Sequence, residues 1–269
     1  MRTHSHTWPL RRAASGLARR RTLRLASAVA LLYVTGGLLG VARAELVGQW
    51  LFDEGGGDVA RDTSENGNDG QVNNADWVAG QFGGALEFAG AASNVEVPHS
   101  PELSVQEFTL MAWVNVPDYT GGWQTIMTQN TAGPTRNYGL FINDGSGLIH
   151  YSFTSAGGWN SFNAGTNVVN GEWRHIAATY DFETFICYVD GEIDGETARD
   201  LEPDTAESPI TIGSWEGGGW IQGAIDEVAL FNHALSQEEV QGFMERGLSV
   251  QAVEPGGKLA SMWSEIKTW

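Results

Sequence analysis

Short runs of alternating apolar and polar residues, separated by clusters of Gly, Asn and Asp, recur along this chain from Glu45 onward. The clearest is Thr109-Leu110-Met111-Ala112-Trp113-Val114-Asn115-Val116, followed by Arg174 to Tyr180 and Phe185 to Val189. A period of two sends successive side chains to opposite faces of a sheet, so each run has one face to bury. The intervening clusters supply tight turns. Asp181-Phe182-Glu183 reads as a short hairpin connection, and Asp190-Gly191 as a turn dipeptide whose glycine takes a positive φ. Of the 35 glycines, 31 lie beyond residue 44 and are spread across the ends of these runs, as turns require. The pattern predicts an all-β fold, an antiparallel two-sheet sandwich.

One helix interrupts it. Ser236-Gln237-Glu238-Glu239 is a capping box, in which the serine caps the amide three residues on and Glu239 reaches back. Gly247 ends the helix, and Val240 with Phe243-Met244 forms its buried side. Beyond it, Val253-Glu254-Pro255-Gly256-Gly257 reads as a linker, and residues 248–269 as linker plus short tail. Leu259, Met262, Trp263 and Ile266 in that tail fall at helical spacing, so it is either a frayed end or a docking helix.

Residues 1–44 are a different material. They hold eight arginines and no acid, then an apolar run from Leu25 to Val41, then Ala42-Arg43-Ala44. This is the order of a signal peptide cleaved near Ala44. Gly36, Gly37 and Gly40 dilute the run as a membrane span, and no cysteine follows it at the cleavage box to carry a lipid. Arg19-Arg20-Arg21 leaves the twin-arginine and the general export routes both open. Without this segment, seven Lys and Arg face 33 Asp and Glu, a formal charge of −26. Such a surface repels phosphate backbones and anionic lipid, which excludes nucleic acid as partner and suits an exported protein that attracts divalent cations. The lone Cys187 lies inside a strand pattern as a small apolar residue and has no internal disulfide partner.

Eight motifs follow one another along the chain: Trp50-Leu51-Phe52-Asp53-Glu54-Gly55-Gly56-Gly57, Asp62 to Gly70, Phe82 to Phe88, Phe108 to Val114, Trp173 to Asp181, Tyr188-Val189-Asp190-Gly191, Gly223 to Val228, and Ala234 to Val240. In this order they resemble the LamG-like jelly-roll family of the concanavalin A-like lectin and glucanase superfamily, over about residues 46–246. The resemblance implies a jelly roll over residues 45–247 with its first and last strands side by side, and with Trp50, Trp77, Trp113 and Trp173 in the core. The chain departs from the family in lacking cysteine pairs, and in carrying Arg174 where the first of two histidines is usual. His175 is accordingly read as structural.

Three groups of residues are candidates for chemistry. Glu192-Ile193-Asp194-Gly195-Glu196 resembles the Glu-x-Asp-x-Glu pattern of laminarinase- and lichenase-type hydrolases, and alternation would put its acids on one strand face. It stands, however, in the return arm after Tyr188-Val189-Asp190-Gly191, whereas in those hydrolases the comparable turn comes well after the catalytic strand. It is read as a solvated acidic strand, and the chain as non-catalytic.

The second group suggests a cation. Alternation from Gly223 to Phe231 groups Asp226 with Ala224, Val228 and Leu230, company in which a carboxylate needs a partner. The family topology would bring Asp53 near it, and the Asp62 to Asp69 loop is rich in oxygen ligands. Asp226, Asp53 and Asp62 are therefore candidate Ca²⁺ ligands, with carbonyls and water to complete the shell. The competing role is Asx-turns at Asp53 and Asp62 and backbone amides on Asp226.

The third group is aromatic. Trp123, Trp159 and Trp220 each follow two or three glycines, with Trp215 nearby. An indole stacks on the C–H face of a sugar, so these four are candidate ligand-binding residues, unless they close the ends of the sandwich as rim residues. The sequence therefore reads as an exported binding or adhesion module for glycan, stabilised by calcium. The alternatives are a structural or protein-interaction domain of the cell envelope and, behind it, a glycoside hydrolase.

Overall fold

The computed structural model describes residues 46–249, apart from 91, 144, 216 and 217. Strands follow in the order β1 (Leu46–Trp50), β2 (Val59–Ala60), β3 (Gly70–Asn73), β4 (Ala75–Ala79), β5 (Gly84–Ala89) and β6 (Asn94–Val97). After a 3₁₀ turn come β7 (Phe108–Asn115), β8 (Gln124–Asn130), β9 (Arg136–Ile142), β10 (Leu148–Ser155) and β11 (Gly158–Asn167). The series closes with β12 (Trp173–Tyr180), β13 (Thr184–Val189), β14 (Glu192–Ala198), β15 (Ile210–Ile212), β16 (Gln222–Phe231) and the helix α1 (Gln237–Arg246). The signal segment and the tail expected beyond residue 249 lie outside the described residues. Among those described, no helix is long and apolar enough to cross a membrane.

Two eight-stranded sheets result. The first runs β14-β13-β12-β7-β16-β5-β4, with β1 also paired to β16; the second runs β11-β10-β9-β8-β15-β6-β3-β2. Every ladder is antiparallel, as period-two runs joined by tight turns require. At the β13–β14 hairpin both Asp190 (φ 51°) and Gly191 (φ 76°) take the left-handed conformation of a two-residue turn.

Inward-facing aromatics of the two sheets meet between them. The Phe108 ring lies 6.0 Å from Tyr138, Tyr151 lies 5.2 Å from Phe185, and Phe153 lies 5.2 Å from Tyr180. Trp50 is fully buried in this core, with its indole N–H donating to the Asn68 carbonyl. The buried tyrosines keep their hydroxyls satisfied, Tyr138 on the Leu103 carbonyl and Tyr151 on the Ala177 carbonyl. Cys187 is buried among them and its thiol is pushed up by burial, as befits an inert apolar filler.

A second, smaller apolar cluster lies on the outer face of the first sheet. There α1 lays Val240 and Phe243 against Met111, Ala177, Tyr188 and Phe231. The capping box is present, with the Ser236 side chain accepting from the Glu239 amide and Glu239 accepting from the Ser236 amide. Leu248 joins the same cluster, so the packed unit reaches past Gly247.

Candidate functional site

The motif tryptophans divide between these two regions. Trp50 lies in the inter-sheet core, and Trp77 is half-buried against it. Trp113 does not. Its neighbours Ala112 and Val114 face inward, so Trp113 points to the outer face of the first sheet, where its ring sits 6.1 Å from Phe82 and 5.3 Å from His175. It is still buried, because the Phe82 loop covers it. Trp173 is half-exposed, at the start of β12. The core placement expected for Trp113 and Trp173 is thus corrected, since period-two alternation says that a strand has two faces but not which of them is covered. His175, in the same outer pocket, is held neutral by burial, with its pKa lowered to about 3.

Strict alternation also misplaces Asp226. The ladder between β16 and β7 slips between Asp226 and Ala229, with Glu227 at φ 52°. A bulge inserts one residue and moves everything after it to the other face. Ile225 therefore shares the inter-sheet core with Val228 and Leu230, while Asp226, opposite Trp113, turns outward. Val228 and Leu230 are not its companions.

The bulge falls where β16 changes neighbour. Up to Ile225 it pairs with β5, and from Val228 onward with β1. The side-by-side first and last strands are as expected. Between these partners the chain after β1 and the loop into β5 converge on Asp226 and Glu227. The Phe82 amide donates to Asp226 Oδ2 at 2.9 Å, and the Gly84 amide donates to Asp53 Oδ1 at 2.7 Å. A Cβ on Gly80 would stand 2.5 Å from Asp226 Oδ2, which is why this loop needs glycine to close over a carboxylate. Asp226 and Glu227 are both buried, and burial raises each to about 7. Asp226 Oδ1 and Glu227 Oε1 have no partner, while the Leu248 amide donates to Glu227 Oε2. Two buried orphaned oxygens on adjacent residues are a costly arrangement for a structure to keep.

Asp62 has a different task. Its Oδ1 accepts from the amides of Gln49 (3.0 Å) and Ser64 (2.9 Å), and its Oδ2 from that of Asn68 (2.9 Å). Those bonds tie its loop to β1, the Asx role weighed against ligation. Among the described residues, no three Asp, Glu, His or Cys side chains are grouped closely enough to hold a metal ion by themselves. A cation here would therefore take two orphaned carboxylate oxygens, Asp53 on the rim, and carbonyls. Glu227 is the member that sequence reasoning missed. The adjacent Asp-Glu pair was visible, but alternation sent the two acids to opposite faces.

The outer face of the second sheet is built otherwise. Leu140, Ile142, Ile149, Tyr151 and Phe153 face the core, so Phe141, His150, Ser152 and Thr154 face out. Among the described residues, no helix covers them. Trp215 packs edge-on to Phe141 at 5.8 Å, and Trp123 edge-on to His150 at 4.6 Å. Two adjoining grooves lie here. One of about 460 Å³ is lined by Asn94, Glu96, Asn130, Thr211, Trp215 and Trp220 among others. The other, of about 500 Å³, is lined by Trp123, Trp215 and Trp220 with the Gly121-Gly122 turn. Trp159 stands apart on β11, 57% exposed. Trp123, Trp215 and Trp220 thus line one pair of grooves, and Trp159 lies outside them.

The Glu192–Glu196 triplet is dispersed. The β13–β14 ladder slips between Cys187 and Tyr188, so the three acids do not share one face. Glu192 accepts from the Gln237 and Gln241 side chains of α1, at 3.3 Å each. Asp194 accepts from the Gly165 and Thr166 amides and the Thr166 hydroxyl. Glu196 is exposed.

With this geometry the comparisons with known proteins agree. The family model described as the concanavalin A-like lectin/glucanases superfamily (Laminin_G_3) matches residues 89–241, and the chain belongs to that family. No curated protein matches it in sequence. Among solved structures, the binding domain of Paraclostridial Mosquitocidal Protein 1 is similar, with a TM-score of 0.63 and 17% identity over 74% of this chain and 52% of that one. Domain 4 of AbnA, a GH43 extracellular arabinanase from Geobacillus stearothermophilus in complex with arabinotriose, has a TM-score of 0.62 and 19% identity, covering 75% of this chain and 98% of that one. A Trypanosoma rangeli sialidase has a TM-score of 0.57 and 21% identity over 74% of this chain and 32% of that one. The chain thus spans about half of the mosquitocidal protein's binding domain and a third of the sialidase, and nearly all of the arabinanase domain. At these identities the likeness shows the fold.

Proposed function

We propose that this chain is an exported, non-catalytic module that binds glycan on the outer face of its second sheet. The observation that carries the reading is the sharing of Trp215 and Trp220 between two adjoining open grooves, with Trp123 on the wall of the second. Half-exposed indoles flanked by asparagine, threonine and glutamate combine an apolar platform with hydrogen-bonding groups, the pairing that a sugar ring needs. The arabinanase domain that resembles this chain was solved with arabinotriose, which supports the class of ligand. A glycan array probed with the purified protein tests it. Binding that disappears in Trp215→Ala/Trp220→Ala is the expected result. No binding to any glycan, or full binding by the double variant, would overturn it.

Hydrolysis is disfavoured because Glu192 and Asp194 are engaged in holding α1 and β11. Changing Glu192 and Glu196 to Gln is expected to leave fold and binding as they are. Release of reducing sugar from β-glucans by the pure protein, lost in that double variant, would reverse the ranking.

Calcium completes the proposal. The orphaned oxygens of Asp226 and Glu227, with Asp53 beside the same loop, suit a hard cation, which would neutralise two buried anions that otherwise repel. Bound calcium would stabilise the fold by mass action, about 2.7 kcal/mol at a hundredfold excess over its dissociation constant. Asp226→Ala is expected to remove most of that response and Asp53→Ala to weaken it. Identical melting curves in chelator and in millimolar calcium would refute the site.

A further inference from the structure

On the open face of the second sheet, one cation stands without a counter-charge. The Arg136 guanidinium carbon lies 4.4 Å from the centre of the Phe141 ring and 4.8 Å from that of Trp159. Gly139 makes room for this arrangement, since a Cβ there would come within 2.4 Å of the Phe141 ring and 2.9 Å of Arg136 Cδ. The two rings hold the guanidinium plane, and Nη1 donates to the Ser152 hydroxyl. Nε is buried with no partner. The ion pairs among the described residues join Arg174 to Asp190 and His233 to Glu107, and none reaches Arg136.

Arg61, Arg199 and Arg246 also lack an ion pair among the described residues, and Arg136 is set apart by its burial and by the two rings that hold it. Among the described residues no acid stands beside Arg136, and desolvating a charge without such a partner is costly. Desolvation here is strong enough to lower Arg136 to about 10, and burial, with a smaller part from the Arg136 charge, lowers neighbouring His150. A positive spot is therefore kept on the aromatic face of a negative molecule, held in orientation by two rings. With Nε buried and Nη1 on Ser152, the Nη edge of the guanidinium is the side left to meet a carboxylate or sulfate, groups that guanidinium binds by charge-assisted hydrogen bonds.

We propose that Arg136, between Phe141 and Trp159, is the subsite that selects glycans carrying an anionic group, a uronate carboxylate or a sulfate ester. The inference rests on the glycan reading above and narrows it to acidic sugars, with Trp159 stacking on the ring that bears the charge. Arg136 is a ligand-contacting residue in this scheme, and Trp123, Trp215 and Trp220 serve the neutral part of the chain.

The test is calorimetric titration of the full protein with three oligosaccharides of equal length: a uronate oligomer, its reduced neutral counterpart and a sulfated neutral one. At least tenfold tighter binding of an anionic form than of the neutral one is expected, and which of the two wins identifies the source of the charge. Arg136→Met should bring the anionic ligand down to the neutral affinity and leave neutral binding unaltered, and Arg136→Lys should recover only part of the preference. Equal binding of all three ligands, unchanged in Arg136→Met, would overturn the proposal while leaving the glycan reading intact. A wild-type measurement covers the cases in which the variants fail to fold or no oligosaccharide binds. The Arg136 Nε–H signal in heteronuclear NMR should shift on adding sodium glucuronate or sulfate, and not on adding glucose or chloride at matched ionic strength. A signal that ignores both anions would end the proposal, and one that shifts while no oligosaccharide binds would keep the anion subsite and remove the glycan reading.

Discussion

The two sheets share one core but treat their outer faces in opposite ways. On the first sheet α1 and the Phe82 loop close over Met111, Trp113, His175 and Phe231, and the acids caught under that cover lose water. On the second, no helix among the described residues lies over the sheet; Phe141 is buried only by side chains such as Trp215 and Arg136, and two grooves remain beside them. The same residue type therefore does different work. Trp113 is a packing residue because a loop closes over it, whereas Trp215, though packed against Phe141 and Gly219, keeps part of its ring on two open grooves. Burial by a neighbouring element, rather than the side chain itself, separates stability from recognition here.

The largest expected effect lies on the covered face. Trp113→Ala should cost about 3–5 kcal/mol, the usual range for emptying a buried aromatic site, read from urea unfolding. A loss under about 1 kcal/mol would mean that the Phe82 loop does not close over the ring, and the contrast between the faces would fail. Gly80→Ala comes next. With a Cβ 2.2 Å from the Gly84 carbonyl and 2.5 Å from Asp226 Oδ2, it should destabilise by about 1–3 kcal/mol and weaken the calcium response as well. Wild-type melting in both chelator and calcium would contradict the geometry of that loop.

Acid–base behaviour sharpens the comparison further. Asp226 and Glu227 are raised to about 7 by burial, above the carboxylate range of an unfolded chain. In chelator the folded state then holds more protons than the unfolded one between about pH 4 and 7. The stability this contributes is complete below about pH 4 and lost as pH rises through 7. The stability of the chelated protein, followed by its melting temperature, should accordingly fall as pH rises toward 7, by up to about 1.4 kcal/mol per pH unit for each proton released, and level off above it, and Asp226→Asn should flatten the fall. His175 acts with the opposite sign. Its folded pKa of about 3 means that the unfolded chain takes the extra proton, so stability drops below about pH 6.5. A melting temperature that rises steadily from pH 6 to 8 in chelator would show that the acids are not desolvated as described.

Smaller still is Ser236→Ala, which removes a cap and should cost about 1 kcal/mol in thermal unfolding, through the element that covers the first sheet. Least of all in stability is Trp215→Ala on the open face, with a change under about 0.5 kcal/mol and the loss read instead in ligand affinity. If Trp215→Ala destabilised as much as Trp113→Ala, the two faces would not differ as argued.

Much of this was decided locally and was therefore legible in the residues. Alternation, turn dipeptides such as Asp190-Gly191 and the Ser236–Glu239 box act over a few residues. The strands at 108–115, 173–180 and 184–189 and the helix at 237–246 appear where those signals put them. The order of the family motifs also conveyed which strands are neighbours, including β1 beside β16. Three things depended on contacts between distant segments. The bulge at Glu227 arises where β16 passes from β5 to β1, and it moved Val228 and Leu230 away from Asp226 and left Glu227 as a second buried acid. The cover over Trp113 comes from the distant Phe82 loop, and that over Met111 from the still more distant α1, so their burial has no local signature. The isolation of Arg136 belongs to the same class, because a missing counter-charge is a property of what the fold brings near. Period and capping are carried by the backbone within one element, whereas register slips, coverage and desolvation are set where elements meet, and those are the terms that separate the two faces of this protein.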